Sequence, residues 1–312
     1  MQLGMAGLGY DKPLYILAFD HRGSFQKDLF GITGTPDLSQ SQQISDAKQI
    51  ISEAFELVLR DGIERGALGM LVDEQYGAGI ARRARQTGAA LAMPVEKSGQ
   101  AEFDFEFGAD FGHHIEEFDP TFSKVLVRFN PEGDGELNKR QAERLRELSD
   151  WLHERGRKFL FELLVPATQT QLERVGGDAT RYDLEIRPKL TVDAIRELQE
   201  ADVEPDIWKV EGLDTREDCE RVAAQARSGD RPTVACIVLG RGADKARVKH
   251  WLEQGSGVRG YIGFAIGRTL WWQALTEYIA DALGRAQAAS IIAANYREMI
   301  DTYRSAESVV SE

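Results

Sequence analysis

Cysteine is scarce in this sequence: among 312 residues only Cys219 and Cys236 occur. Two isolated thiols exclude a disulfide framework and a thiolate zinc site. The expectation is a reducing, cytoplasmic setting. Positive charge is also short, with 38 basic residues against 51 acidic ones and a net charge of −13. That balance argues against nucleic acid or an anionic membrane as the main partner. It leaves room for a phosphorylated small molecule, because a few local cations suffice to hold a phosphate. No stretch reaches the roughly 18 apolar residues that a membrane span needs. The opening segment MQLGMAGLGYDKP lacks the basic start and apolar core of a signal peptide. No Pro/Gly/Ser-rich linker divides the chain, and no low-complexity segment occurs.

What is present is a rhythm. Eight short apolar runs recur, at 14–19 (LYILAF), 68–72 (LGMLV), 89–95 (AALAMPV), 124–129 (KVLVRF), 158–165 (KFLFELLV), 206–210 (DIWKV), 233–239 (TVACIVL) and 260–264 (GYIGF). Each has strand length, and most are rich in β-branched or aromatic residues. Between them, 41–60, 136–155, 191–201, 215–227 and 244–254 carry apolar residues close to a 3.6 period. Thr191 and Thr215 precede acidic first turns and are N-cap candidates. The connection 96–120 is irregular. Residues 269–283 and 286–303 read as helices before a polar tail.

Strands alternating with helices imply parallel βαβ units. Eight of them predict an α/β fold of the closed (β/α)8 kind, with an open doubly wound sheet as the alternative. No G-x-G-x-x-G follows the first run, so the dinucleotide-binding version has no direct support. One domain over 1–312 is expected: a barrel over about 13–285, then a C-terminal helix and tail over about 286–312.

In such a barrel the chemistry sits at the C-terminal ends of the strands. There the sequence places Asp20-His21-Arg22, Asp73-Glu74-Gln75, Glu96-Lys97, Arg128 with Asn130, Glu162, Lys209 with Glu211, Gly240-Arg241-Gly242, and Gly263 through Gly267-Arg268. Period two puts Ile207, Lys209 and Glu211 on one face. A lysine inside an apolar barrel must be paired or have its pKa lowered. With a lowered pKa it is a competent amine nucleophile toward a ketone. Moving it from about 10.4 to about 7 requires roughly 4–5 kcal/mol, which a nearby cation such as Arg128 or Lys97 would help supply. From the lysine alone, a structural ion pair with Glu162 or Glu211 is an equal reading. Glu162 shares a face with Leu160 and Leu164 on the neighbouring strand. It can shuttle protons beside the amine, or simply fill the barrel as a charge partner.

The glycine-arginine segments at 240–242 and 263–268 follow the seventh and eighth runs. Many barrels bind phosphate there, with backbone N–H groups and a helix N-terminus. Phosphate candidates are therefore Gly240, Arg241, Gly242, Gly263, Gly267 and Arg268. Other features take plainer readings. His113 and His114, beside Glu116 and Glu117, read as a solvated loop rather than a metal site. Trp271 and Trp272 read as helix-packing aromatics. Cys236, in step with Val234 and Val238, reads as barrel filler, and the acidic run 102–110 as a surface lip or a lid.

Taken together, the stretches 17–20 (LAFD), 71–77 (LVDEQYG), 96–99 (EKSG), 161–162 (FE), 208–211 (WKVE) and 267–271 (GRTLW) resemble class I aldolases of the tagatose-1,6-bisphosphate and sulfofructosephosphate type. The segments 18–26 (AFDHRGSFQ) and 237–242 (IVLGRG) are similar to the aldolase-like domain found fused to 5-dehydro-2-deoxygluconokinase in bacterial inositol catabolism. No sugar-kinase segment is present here. The resemblance implies that Lys209 is the Schiff-base lysine and Glu162 the acid/base. It implies a phosphate loop at Gly267-Arg268, and no cofactor or metal. It also implies a phosphorylated keto-sugar or keto-sugar acid as substrate, foremost 6-phospho-5-dehydro-2-deoxygluconate, giving dihydroxyacetone phosphate and malonate semialdehyde. Asp20, Arg22, Asp73, Gln75, Lys97, Arg128 and Glu211 are the remaining substrate-binding expectations, with Arg22, Arg128 or Arg241 holding a carboxylate. Readings kept beside it are another ketose-phosphate aldolase, a metal-dependent barrel lyase using His113 or His114, and a non-catalytic sugar-phosphate binder. The apolar faces around Tyr278, Ile291, Ile292, Tyr296 and Met299 are expected to pack on the barrel or on a second subunit.

Overall fold

A computed structural model describes residues 7–310. The first six residues of the N-terminal segment and the last two of the polar tail lie outside the described residues. Eight strands close into a barrel in sequence order. They are β1 (Leu14–Ala18), β2 (Leu68–Leu71), β3 (Ala90–Pro94), β4 (Phe122–Arg128), β5 (Lys158–Leu164), β6 (Ile207–Glu211), β7 (Ala235–Leu239) and β8 (Tyr261–Ile266). All eight pairings are parallel, including β1 with β8. The fold is the (β/α)8 barrel.

The side-chain alternation of each strand sorts residues into two layers. One set, including Leu14, Ile16, Leu71, Phe122, Leu160, Ile207 and Ile237, packs inside the barrel as its own apolar cluster. The other set, including Leu17, Met70, Val125, Phe161, Trp208 and Val238, faces the helices. Both faces are buried, which is why the strands read as continuous apolar runs. Cys236 belongs to the outer layer. The expectation that it fills the barrel is corrected: Ala235 and Ile237 point inward, so parity sends Cys236 out.

The helices are α1 (Leu38–Val58), α2 (Glu74–Ala84), α3 (Phe111–Phe118), α4 (Gly135–Glu154), α5 (Gln169–Arg174), α6 (Ala179–Glu185), α7 (Arg187–Glu200), α8 (Arg216–Ala226), α9 (Lys245–Gly255), α10 (Arg268–Ile279) and α11 (Arg285–Val310). Asp37 caps α1 in a reciprocal box with Gln40, and Thr215 caps α8 through the Asp218 N–H. Thr191 is not a cap. α7 begins earlier, with Pro188 in its first turn, and the Thr191 hydroxyl donates back to the Arg187 carbonyl at 3.0 Å. α2, α5 and α6 carried no separate expectation.

The irregular connection after β3 is ordered. Glu96 forms an antiparallel bridge with Phe105, and α3 follows. His114 is buried there, stacked on Phe107 at 4.2 Å with Nδ1 2.7 Å from Glu74. It is therefore no solvated loop residue. The acidic run is anchored from below by buried Phe103 and Phe105 and from outside by Glu102, which pairs with Arg140 and Arg144. On α11, Ile292, Tyr296 and Met299 are buried against the barrel layer, and the Tyr296 hydroxyl donates to the Tyr15 carbonyl at 2.5 Å. Ile291 stays exposed.

Candidate active site

Above the apolar interior, the inward positions toward the barrel mouth include charged residues. β4 starts at Phe122, so Phe122, Lys124, Leu126 and Arg128 share the inward face. β5 contributes Glu162 and β6 Lys209, which are direct register partners. The chain leaving β1 contributes Asp20, and that leaving β3 contributes Glu96.

These five side chains form one cluster. Lys124 Nζ lies 2.9 Å from Asp20, 2.8 Å from Glu96 and 3.1 Å from Glu162. Lys209 Nζ lies 2.9 Å from the same Glu162 oxygen, Oε2. Both lysines are buried, as are Glu96 and Glu162. An ammonium removed from water needs such partners. Lys124 donates to Asp20 and Glu96 and has Glu162 as a third carboxylate neighbour, one for each of its three protons.

The three carboxyls differ. Burial pushes Asp20 up, but the charges of Lys124, His21 and Lys209 outweigh it and hold Asp20 well below the usual carboxylate range. Burial likewise opposes ionised Glu162, and Lys124 with Lys209 again prevail, leaving it below its ordinary value. At Glu96 burial wins over Lys124 and Arg22, and the carboxyl is pushed up. Its Oε2 is buried without a hydrogen-bond partner. Burial works against the Lys124 ammonium, yet Asp20, Glu162 and Glu96 raise it above an ordinary lysine. Burial lowers His21 to about 4, opposed by Asp20 and reinforced by Arg268 and Lys48.

A cavity of about 420 Å³ opens over this cluster. Of the sequence-predicted residues it brings together Asp20, Arg22, Lys97, Arg128, Glu162, Lys209, Arg241, Gly242, Gly267 and Arg268. Asp73, Gln75, Glu211, Gly240 and Gly263 do not line it. Asp73 is buried, caps α2 and pairs with Lys48, so a substrate cannot reach it. Gln75 donates to the Tyr76 hydroxyl at 2.9 Å and lines a separate cavity of about 240 Å³. Glu211 accepts from the Val165 N–H at 2.9 Å and pairs with Arg241 at 3.0 Å. At Gly240 a Cβ would come within 3.1 Å of Ile266, so packing accounts for the glycine. Gly263 lies beside Leu14 at the far end of the barrel, where a Cβ would meet the Leu14 carbonyl oxygen at 1.9 Å.

The cations at the mouth divide into occupied and free. Arg22 is committed to Glu106 at 3.0 Å and to the Glu96 carbonyl at 2.6 Å. Lys97 pairs with Asp104 at 3.0 Å. Arg241 is held between Asp183 at 2.7 Å and Glu211. Among the described residues Arg128 donates to the Gln100 carbonyl at 2.8 Å and enters no ion pair. Arg268, first residue of α10, enters no hydrogen bond or ion pair among the described residues and lies against Gly242. Gly267 lets the chain pass the Ala18 carbonyl oxygen, which a Cβ would approach to 2.7 Å. The result is an unpaired guanidinium at a helix N-terminus facing the cavity, an arrangement suited to an anion.

Three positions were given no site role by the sequence reading. Lys124 was readable by the alternation that exposed Lys209, since it is in step with Arg128. Glu96 was overshadowed by Lys97. Lys48 on α1 is wholly buried, and no pattern in α1 sets it apart. It donates to the carbonyls of Phe19 at 2.8 Å and His21 at 2.9 Å, the two residues flanking Asp20, and to Asp73. Trp271 Nε1 adds a bond to the Ala18 carbonyl at 2.9 Å. Among the described residues no group of three His, Cys, Asp or Glu side chains is placed to hold a metal ion. Among the described residues no helix is long and apolar enough to cross a membrane.

Several solved structures share the architecture. A fructose-bisphosphate aldolase from Plasmodium falciparum, crystallised with TRAP and a small-molecule inhibitor, superposes with a TM-score of 0.64 at 11% identity, covering 94% of this chain and 91% of that one. The protein Cgl0159 from Corynebacterium glutamicum (Brevibacterium flavum) superposes with a TM-score of 0.55 at 15% identity, covering 94% and 88%. A Schiff-base-forming fructose-1,6-bisphosphate aldolase superposes with a TM-score of 0.53 at 15% identity, covering 90% and 93%. At these identities the likeness is one of fold. No curated protein sequence matches the chain. A family model matches residues 9–307, and the chain thus belongs to the family described as "Uncharacterized protein conserved in bacteria (DUF2090)".

Proposed function

We propose that this protein is a lyase of the class I aldolase kind, with Lys209 as the amine that forms the covalent intermediate. The observation that carries this is Lys209 itself: a buried ammonium at the barrel mouth, bonded to a carboxylate that a second buried lysine also holds. The free Lys209 amine attacks the substrate ketone. Glu162 supplies the proton that lets the carbinolamine lose water. The resulting iminium accepts the electron pair of the breaking carbon–carbon bond. Arg268, the Gly242 backbone and the start of α10 hold the phosphate.

The substrate is a phosphorylated keto-sugar or keto-sugar acid. The resemblance carried by 18–26 and 237–242 favours 6-phospho-5-dehydro-2-deoxygluconate, split into dihydroxyacetone phosphate and malonate semialdehyde. Of the three arginines considered for a carboxylate, Arg22 and Arg241 are already paired with acids, which favours Arg128. The test is borohydride reduction in the presence of dihydroxyacetone phosphate, followed by peptide mass spectrometry. A reduced adduct on Lys209 is expected, and its absence sinks the mechanism. Turnover of a panel of keto-sugar phosphates then fixes the substrate.

A further inference from the structure

The Schiff-base reading needs the Lys209 amine to lose a proton before it attacks, and that proton needs a destination inside a buried cluster. Glu162 is the immediate neighbour, but its Oε2 is already ion-paired with two ammonium groups. Asp20 is held ionised by Lys124 and its neighbours. Glu96 is different. Its Oε1 accepts from Lys124 at 2.8 Å, and its Oε2 is buried with no hydrogen-bond donor among the described residues. An ionised carboxylate with a dry, unbonded oxygen is costly, and protonation of that group relieves the cost.

The contacts are continuous. Lys209 contacts Glu162 at 2.9 Å, Glu162 contacts Lys124 at 3.1 Å, and Lys124 contacts Glu96 at 2.8 Å. We propose that Glu96 is the terminal proton acceptor of this chain, and that Lys209 is set free for attack by moving its proton through Glu162 and Lys124 onto Glu96. The proposal rests on the Schiff-base reading of Lys209.

The step balances without any co-reactant. A Lys209 N–H bond breaks and a Glu162 O–H bond forms. Glu162 passes a proton to Lys124 as Lys124 passes one of its own to Glu96. The outcome is a neutral Lys209 amine, an unchanged Lys124 ammonium, an ionised Glu162 and a protonated Glu96; the same transfers in reverse return the proton to Glu162 for loss of water from the carbinolamine. The charged groups facing Glu96 are Lys124 from β4, Arg22 and Asp20 from the end of β1, and Glu106 from the loop after β3, paired with Arg22. Its buried, unbonded Oε2 and its raised pKa make Glu96 the best proton acceptor of the three carboxyls.

The test is the pH dependence of borohydride-trappable imine formation with dihydroxyacetone phosphate, comparing wild type with Glu96→Gln. The amide keeps an oxygen for Lys124 but cannot take a proton. Wild type is expected to slow on the acid side as Glu96 fills. E96Q is expected to form the imine roughly tenfold or more slowly near neutral pH, at the lower end of acid–base effects, and to lose that acid limb. A merely structural role would lower the yield without removing the limb. Equal rates and equal profiles would overturn the proposal. Should E96Q fail to fold by circular dichroism, Glu96→Asp decides: a slower rate with the limb retained supports the chain, and loss of the limb with a carboxyl still present overturns it. A wild-type protein that traps no adduct on Lys209 removes the Schiff-base reading instead, and this proposal with it.

Discussion

Lys209 and Lys124 meet at a single atom: Glu162 Oε2 lies 2.9 Å from one ammonium nitrogen and 3.1 Å from the other. Lys124 also reaches Asp20 and Glu96, so three carboxyls, from the chain leaving β1, the chain leaving β3 and β5, share one cation. The barrel mouth is in this sense a charge lattice, and its members respond together to substitution and to pH.

Replacing Lys124 with Met leaves Asp20, Glu96 and Glu162 short of compensation in a buried place. Breaking such a set by removing one partner costs about 3–5 kcal/mol. The carboxyls of the variant then bind protons more readily folded than unfolded. Stability gained in that way is present at low pH and lost as pH rises. Urea unfolding should therefore show K124M recovering part of its deficit between pH 7 and pH 5. An equal deficit at both values would contradict the lattice.

The wild-type protein should behave oppositely in acid. Asp20 and Glu162 have folded pKa values below their unfolded ones. Their contribution is present above the unfolded carboxylate range and is lost as pH falls through the folded values. His21, lowered to about 4 from 6.5, adds an earlier window. The unfolded chain binds that proton first, so stability declines between those two values, by at most about 1.4 kcal/mol per pH unit. Glu96, being raised, acts in the opposite sense and softens the decline. Unfolding free energies of His21→Asn measured from pH 7 to pH 4 should lack the early slope. A slope equal to that of wild type would show that His21 is not its source.

Lys48 and Asp73 form a wholly buried pair that fixes the carbonyls on either side of Asp20. K48M and D73N should each destabilise by about 3–5 kcal/mol, because each strands a buried partner. The double variant should lose less than the sum, with a coupling of about 0.5–3 kcal/mol. A double-mutant cycle by denaturant unfolding measures this, and strict additivity would mean that the two do not act together.

Arg268 and Arg241 flank the same cavity yet should behave differently. Arg268 enters no hydrogen bond or ion pair among the described residues, so R268A should keep its stability within about 0.5 kcal/mol while losing a charged hydrogen bond of about 1.5–3 kcal/mol to phosphate. That corresponds to roughly a 10- to 100-fold rise in KM. R241A instead releases Asp183 and buried Glu211, and should lower the unfolding midpoint. Comparing KM and competition by inorganic phosphate in the two variants separates the roles. Unchanged values in R268A would remove Arg268 from the phosphate reading.

The sequence by itself determined the architecture. Strands buried on both faces read as unbroken apolar runs, and eight of them between amphipathic segments leave few ways to fold. Lys209 and Glu162 were legible for the same local reason: a charge breaking an apolar strand in period two is conspicuous, and a strand has only two faces. Tertiary structure alone decided which polar residues meet. Asp73 and Gln75 stand at a strand end as Asp20 does, but Asp73 turns to cap α2 and to meet Lys48, and Gln75 turns to Tyr76. Arg22 and Arg241 look like ligand-binding cations until their acidic partners, 84 and 58 residues away in the chain, are brought beside them. Glu96 and Lys124 lie 28 residues apart and become neighbours only when β3 pairs with β4. Local periodicity assigns a side chain to a face. Whether its charge is spent on the protein or left for a ligand depends on contacts between distant segments, which only barrel closure creates.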